Sequence, residues 1–329
     1  MIQFTGGWPG ALEYGAAREQ LILRAAVLAK IRTYFAQQKV LEVETPALGK
    51  FSVTDPQLDS LSLEHRFALN AKAERLYLQT SPEYAMKQLL AKGSGSIYQI
   101  CKAYRNDLPG RLHAIEFTML EWYRVNFDLS QLMQDVAALL AKFFGGKPIE
   151  FLSYRDAFIR YAEIDPFTST VAQLKLQAKK RIDTDIEDDD IDIWRDLILT
   201  HCVEKNLGRN GLTFLTEYPA SQCALARISR DENGFEVAQR FELYIDGIEV
   251  ANGYHELLDV KEHEQRFDRH NKEREKISKP LMPIDSDFIE ALQHGLPACA
   301  GVALGVDRLL LCLQNHMLQK GENSYALND

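Results

Sequence analysis

Ile97-Tyr-Gln-Ile-Cys-Lys-Ala-Tyr-Arg105, Asn106-Asp-Leu-Pro-Gly-Arg-Leu-His-Ala114 and Ile115-Glu-Phe-Thr-Met-Leu-Glu-Trp-Tyr123 follow one another without a break. The outer segments are rich in β-branched and aromatic residues. The centre holds the turn formers Asn106, Asp107, Pro109 and Gly110, so a β-hairpin with a long loop is expected. Period-two alternation puts Arg105 on the face of Ala103 and Cys101, and puts Glu121 and Tyr123 together on one face of the second strand. Arg105 ends a strand, Arg111 and His113 lie in the loop and Phe117 stands just beyond it. Such a set suits a nucleotide, cations matching phosphate oxygens and the ring a purine.

Working outward, Thr80-Ser-Pro-Glu83 opens a helix with Ser81 as N-cap, Pro82 at the first position and Gly93 past the end. Taken alone, Glu83 is a carboxylate that compensates the helix dipole. Farther upstream, Leu21, Ala25, Leu28, Ile31 and Phe35 recur at helical spacing, and Val40–Pro46 reads as a strand stopped by proline. Residues 1–17 are Gly-rich and weakly patterned, an N-terminal arm. Downstream, Asp128–Phe144 is a helix ended by Gly145-Gly146, and residues 153–210 are largely helical. The acidic run 183–192 fits no Ca²⁺ loop and reads as a solvated helix start or loop. Thr213–Glu217, Cys223–Ile228 and Phe235–Gly247 read as strands of one mainly antiparallel sheet, and Val260–Lys276 as a surface helix with solvated charges. The fold class is α+β.

The chain has 329 residues and a net charge of −9, enough length for a sizeable core in one large domain or two. It has no basic run of the kind that marks a nucleic-acid footprint, which counts against tRNA as a partner. Five widely spaced cysteines with no CxxC pair suit reduced thiols. No signal peptide or spanning apolar run is visible, so a cytoplasmic protein without a membrane partner is expected.

Arg105-Asn-Asp107 with Glu116-Phe-Thr-Met-Leu-Glu-Trp-Tyr123 resembles motif 2 of class II aminoacyl-tRNA synthetases, in the lysyl branch. Gly301-Val-Ala-Leu-Gly-Val-Asp-Arg308 is similar to motif 3. Gly247-Ile-Glu-Val-Ala-Asn-Gly-Tyr-His-Glu256 resembles the lysine-pocket strand. The early helix leading into Pro46 is similar to motif 1, the dimer element. These separated stretches keep the family's order. The resemblance implies a class II synthetase-like catalytic core over 18–329, a mainly antiparallel sheet flanked by helices, and a homodimer. An anticodon-binding domain, roughly 50 residues or more, is not expected before that helix, and nothing after motif 3 replaces it.

It also implies adenylate chemistry. A substrate carboxylate attacks the α-phosphate of ATP and needs no protein nucleophile, so the site supplies position and positive charge. Arg105 and Arg308 are the implied catalytic residues. Arg105 would meet the α-phosphate, His113 and Arg111 the outer phosphates, and Phe117 and Arg308 would sandwich the adenine. Asn106, Asp107, Val250 and Gly305 complete the implied ATP set, and Glu249 would hold Mg²⁺. The residue-level alternatives are, for Arg308, a salt bridge with Asp307 or a helix-surface charge, and for Glu249 a strand-surface carboxylate. In the second pocket Glu256 would grip a lysine ε-ammonium and Glu83 the amine nearer the carboxylate. Tyr123 would act through its hydroxyl, with Ser81, Pro82 and Ala303 beside them.

Ala303 stands where the synthetase pattern has glycine, and its methyl narrows the pocket by about one CH₂. With no anticodon-binding domain expected, this resembles the elongation factor P–(R)-β-lysine ligase family. That resemblance implies transfer of activated β-lysine to a lysine side chain of elongation factor P. The alternatives are a minimal lysyl-tRNA synthetase-like enzyme using α-lysine, and a non-catalytic regulator that binds an amino acid or nucleotide. The loop departs from the family pattern: His113-Ala-Ile-Glu-Phe117 replaces His-Asn-Pro-Glu-Phe, and Asp107 stands for the usual glutamate.

Overall fold

A computed structural model describes residues 17–69, 72–108, 110 and 112–320; the expected arm lies almost wholly outside these residues. Helix α1 (Ala17–Gln37) buries Leu23, Val27, Ile31 and Phe35, a fourfold spacing that lines one face. Strand β1 (Leu41–Glu42) is shorter than the expected Val40–Pro46. Backbone bonding to the neighbouring segment ends at Val43, Thr45 instead uses its hydroxyl on Gln99, and Pro46 has no N–H to give. A small sheet that the sequence did not suggest follows. Its strands β2 (Leu48–Gly49), β3 (Ser62–His65) and β4 (Glu74–Leu78) lie in the order β2-β4-β3.

Helix α2 (Glu83–Ala91) starts one residue later than expected. Pro82 takes the N-cap position without a capping side chain, and the Ser81 hydroxyl accepts from the Glu83 N–H at 3.3 Å. The hairpin is present as β5 (Ile97–Tyr104) and β6 (Glu116–Val125), with Ile97 opposite Tyr123 and Tyr104 opposite Glu116. Helix α3 (Leu129–Phe144) is bounded by a capping box between Asp128 and Gln131 and by Gly145 at φ 66°. Next come β7 (Ile149–Ser153) and the helical segment α4 (Tyr154–Ala162), α5 (Val171–Arg181) and α6 (Ile191–Ile198). The acidic run is a loop, tied down where Glu187 pairs with Lys175 and Lys179 and where Asp190 caps α6.

Strand β8 (Leu212–Pro219) ends in a helical turn. The expected strand Cys223–Ile228 is absent: Ala224 is left-handed at φ 45°, which breaks any ladder, and β9 covers only Ile228–Arg230. Strands β10 (Glu236–Ile245) and β11 (Ile248–His255) are joined by Asp246-Gly247, both at positive φ, as a two-residue hairpin requires. Helices α7 (Val260–Lys276) and α8 (Ser286–Gly295), strand β12 (Cys299–Gly305) and helix α9 (Val306–Lys320) complete the chain. Among the described residues no helix is long and apolar enough to cross a membrane.

The large sheet runs β1-β5-β6-β12-β11-β10-β8-β7, with β9 on β10; it is antiparallel through its centre and parallel at β1–β5 and β7–β8. Tyr98, Trp122, Val302 and Phe241 share one face and pack into the main core with α1, α3 and α9. Gly253 lies in this row because an added Cβ would stand 2.5 Å from the Phe241 ring. The opposite face is covered at its two ends. At one end α2, α7 and α8 pack on Ile97 and Tyr123, and at the other α4 to α6 pack on Leu215 and Tyr244. Polar residues occupy the middle.

Candidate active site

Antiparallel register builds that middle. Residues directly opposite one another share a face. Gln99, Glu121, Ala303, Asn252 and Glu242 are therefore neighbours in one row across five strands. Two residues along lies the row Ile97, Tyr123, Gly301, Tyr254 and Arg240. Gly301 has no Cβ to spare: one added there would overlap the Tyr123 ring and stand 2.6 Å from Glu256 Oε1. Ala303 is the smallest side chain in its row, so it forms the floor between Glu121 and Asn252.

Over that floor the expected substrate residues converge, in an arrangement the sequence did not suggest. Glu83, from the start of α2, and Glu256, just past β11, are bridged by Lys87, whose ammonium is 2.6 Å from Glu83 Oε1 and from Glu256 Oε2. Lys87 and Glu256 are fully buried. The Tyr123 hydroxyl donates to Glu121 Oε1 at 2.6 Å, so it acts first on a protein carboxylate. Burial, with Glu83 close by, pushes the Glu121 carboxyl up to about 8. Burial and Glu83 also push Glu256 up, to about 7, against the pull of Lys87. Gln79 Oε1, Thr80 Oγ1, Glu121 Oε2, Asn252 Oδ1 and Arg105 Nε are buried without a hydrogen-bond partner among the described residues. Those of Glu121 and Asn252, on either side of the Ala303 floor, are available to a polar ligand.

The residues expected to meet the nucleotide lie toward the hairpin loop. Arg105 rests over the Phe117 ring at 5.2 Å, and its backbone N–H donates to Ile115 at 3.0 Å. The Asn106 N–H donates to the Asp59 carbonyl at 2.8 Å. Asp59 is itself held by Arg274 at 2.9 Å and Lys279 at 2.8 Å, and Arg274 also donates to the carbonyls of Asp55 and Leu58. Helix α7 is thus not the fully solvated helix expected. His263, Arg266 and Arg274 are buried, Arg266 bonding the carbonyls of Ala224 and Ala226. His113 Nδ1 is 3.6 Å from the Asp107 carboxylate in an exposed loop; Arg111 falls outside the described residues.

Arg308 does not pair with Asp307, which is taken by Arg24 at 2.7 Å and by the Thr118 N–H at 2.6 Å. Its Nη1 instead bonds the Glu249 carbonyl at 2.8 Å and Glu249 Oε2 at 3.0 Å. Val250 turns its side chain into the core, leaving only its backbone for a nucleotide. A Cβ at Gly305 would meet nothing closer than the Arg308 stem at 3.7 Å, so space opens above it. Burial, and repulsion from Glu249, raise the Glu242 carboxyl above its ordinary range, although Arg240 opposes this from 2.5 Å. A divalent cation would relieve that repulsion. Among the described residues no three acidic, His or Cys side chains form a metal cage, so phosphate oxygens would have to complete the coordination.

Sequence reasoning missed Asn252 and Lys87, and it named Glu121 only as a partner of Tyr123. Two signals were available: Lys87 is one helical turn from Glu83, and Asn252 is four residues before Glu256.

An antiparallel sheet carrying an arginine-bearing hairpin and a terminal strand–helix arginine defines a class II synthetase catalytic core. The family model for class II tRNA synthetases (D, K and N) matches residues 12–317. The chain is 47% identical to an elongation factor P–(R)-β-lysine ligase of Photorhabdus laumondii, over 93% of both chains. It is 44% identical to a protein so named from Haemophilus ducreyi, over 91% of each, and 46% identical to one from Salmonella typhi, over 90% of this chain and 91% of that one. The chain belongs to this family of class II synthetase-like ligases.

Proposed function

We propose that this protein activates (R)-β-lysine with ATP and transfers it to a lysine side chain of elongation factor P. The pocket of Glu83, Glu121 and Glu256 floored by Ala303 carries the reading. It offers buried anionic partners to a small molecule with two ammonium groups, next to an arginine suited to the carboxylate end. In the first step a carboxylate oxygen attacks the α-phosphorus and pyrophosphate leaves. Arg105 follows the charge that builds on the α-phosphate, which is worth most in a water-poor site. Arg308 and Phe117 position the base, and the Asn106 backbone is held in place by Asp59. Glu249, with Glu242 behind it, would hold Mg²⁺, which supplies positive charge to the phosphates when bound. In the second step the acceptor's neutral ε-amine attacks the adenylate carbonyl, AMP leaves, the nitrogen loses a proton and an amide forms.

Several features support a wider reading: a single catalytic domain over 18–329 behind an arm at 1–17, a homodimer, and a protein acceptor in place of tRNA. Leu21 and Leu41, on the elements that resemble the dimer motif, are 61% and 57% exposed. The net charge of −9 disfavours a phosphate backbone. The five cysteines are free thiols, as suits the reducing cytoplasm.

The test offers purified elongation factor P and bulk tRNA side by side to the enzyme with ATP and labelled β-lysine. Label on elongation factor P alone is expected. Label on tRNA would instead make the chain a synthetase, and binding without pyrophosphate release would make it a regulator.

A further inference from the structure

Lys87 sits where the pocket reading would place a substrate ammonium. It lies one turn after Glu83 on α2, an i,i+4 spacing that sends both side chains to one face. Its Nζ is 2.6 Å from Glu83 Oε1 and 2.6 Å from Glu256 Oε2, at zero exposure. An isolated buried ammonium costs several kcal/mol and tends to lose its proton. Burial does oppose the charge here, but Glu256 and Glu83 outweigh it and hold the ammonium above its ordinary lysine pKa.

The groups packed around the cluster show why such a cation is needed. Glu121 and the Tyr123 hydroxyl face it from β6, and Cys299 from β12 is a thiol pushed up to about 12. His263 on α7 is pushed by burial down to about 4 and is neutral. Arg227 spends its Nε–H on the Glu256 carbonyl, and Arg266 is bound to Glu262 and to two carbonyls. Lys87 is thus the ammonium that reaches the carboxylates of Glu83 and Glu256. Three carboxylates in one buried space would otherwise take up protons from water. Each protonation would remove an acceptor that recognises an ammonium.

We propose that Lys87 is a specificity-determining residue: its fixed ammonium keeps Glu83 and Glu256 ionised and aimed. Glu83 and Glu256 less one ammonium leave a charge of −1 in the empty pocket, and Glu121, which gives up its proton beside an arriving ammonium, brings this to −2, matched to an amino acid that carries two ammonium groups. This rests on the reading of the pocket as the β-lysine site.

The experiment is β-lysine-dependent ATP–pyrophosphate exchange, with 3-aminohexanoic and 6-aminohexanoic acids as single-amine comparisons. The wild type should use β-lysine and discriminate strongly against both. Lys87→Ala should raise KM for β-lysine about tenfold or more and leave KM for ATP within about twofold. Added propylammonium should restore much of the loss, whereas propanol, its neutral counterpart, should not. An unchanged β-lysine KM, or equal rescue by propanol, overturns the proposal in favour of simple packing. If Lys87→Ala gives no cooperative melt, the double variant Lys87→Met/Glu83→Gln, which removes the Glu83–Lys87 pair whole and leaves Glu256 without its ammonium, is compared with Glu83→Gln. A β-lysine KM about tenfold higher in the double variant supports the role, and equality overturns it. A wild type with no β-lysine-dependent exchange would instead overturn the pocket reading itself.

Discussion

Gly301→Ala replaces a hydrogen by a methyl group, a net gain of one carbon and two hydrogens, at a crowded point of the site. The new Cβ would stand 2.6 Å from Glu256 Oε1 and inside the Tyr123 ring edge, where real Cβ atoms keep at least 3.0 Å. Three things could yield, and all are constrained. Strand β12 lies between β6 and β11 and is bonded to both. The Tyr123 ring is 3% exposed, and Glu256 is 1% exposed and bound to Lys87 at 2.6 Å. Forced packing of this kind costs about 1–3 kcal/mol, a Tm loss of roughly 2–4 °C per kcal/mol for a large domain. If Glu256 moves to accommodate the methyl, a charge-assisted hydrogen bond worth about 1.5–3 kcal/mol is lost to the substrate, roughly 10- to 150-fold in KM for β-lysine. The nucleotide half should be spared, because Gly305 lies four residues along the strand, roughly 13 Å away. Exchange kinetics with each substrate varied, beside a thermal melt, separate these effects. A β-lysine KM within about twofold of wild type with an unchanged melt would refute the crowding argument; an equal rise in both KM values would refute the division of the site into two halves.

Four other outcomes follow from the same geometry. The Glu121 carboxyl sits at about 8 instead of the ordinary 4.5, so the folded protein keeps a proton that the unfolded chain gives up. Its contribution to stability therefore falls as pH rises from about 4.5 to about 8, by up to ~1.4 kcal/mol per unit. An ammonium beside it favours ionisation, so KM for β-lysine should fall as pH rises toward 8, and Glu121→Gln should remove that part of the slope; an identical slope in the variant would exclude Glu121. Arg274→Met removes one of the two cations that hold Asp59, and its donations to the carbonyls of Asp55 and Leu58, and should raise KM for ATP by about tenfold while sparing β-lysine, as titration of each substrate will show. Arg105→Ala should lower pyrophosphate release by about 10²–10³, and near-normal release removes it from the α-phosphate. Ala303→Gly should improve α-lysine relative to β-lysine by roughly tenfold, the worth of about one CH₂ in an apolar pocket; an unchanged preference ratio in exchange assays would end the floor argument.

The parts of this molecule legible in the sequence are those decided by near neighbours. The β5–β6 hairpin follows from local alternation and clustered turn formers, and α3 from Asp128 at one end and Gly145 at the other. The small sheet escaped because its strands are short and largely exposed; Ser62–His65 shows no buried face at all. The strand expected at Cys223–Ile228 failed on a single residue, Ala224, whose left-handed backbone no composition rule anticipates. Helix α7 is the instructive case. His263, Arg266, His270 and Arg274 lie at helical spacing with Phe267 on one stripe, a pattern that would have been read as a buried face had the other four been apolar too. Arg266 and Arg274 are buried as charged groups because their partners are remote in sequence: Arg266 bonds the carbonyls of Ala224 and Ala226, and Arg274 meets Asp59 across 215 positions. Lys87 and Glu256 obey the same rule across helix and strand. Whether an ionisable side chain is buried depends on the energy of the pair, since either member alone would be expelled or neutralised. The local sequence names one member and leaves its partner to the fold. The site was visible as motifs for that reason, while the electrostatics that make the motifs selective required the register of β6, β12 and β11 and the docking of α2 and α7 upon them.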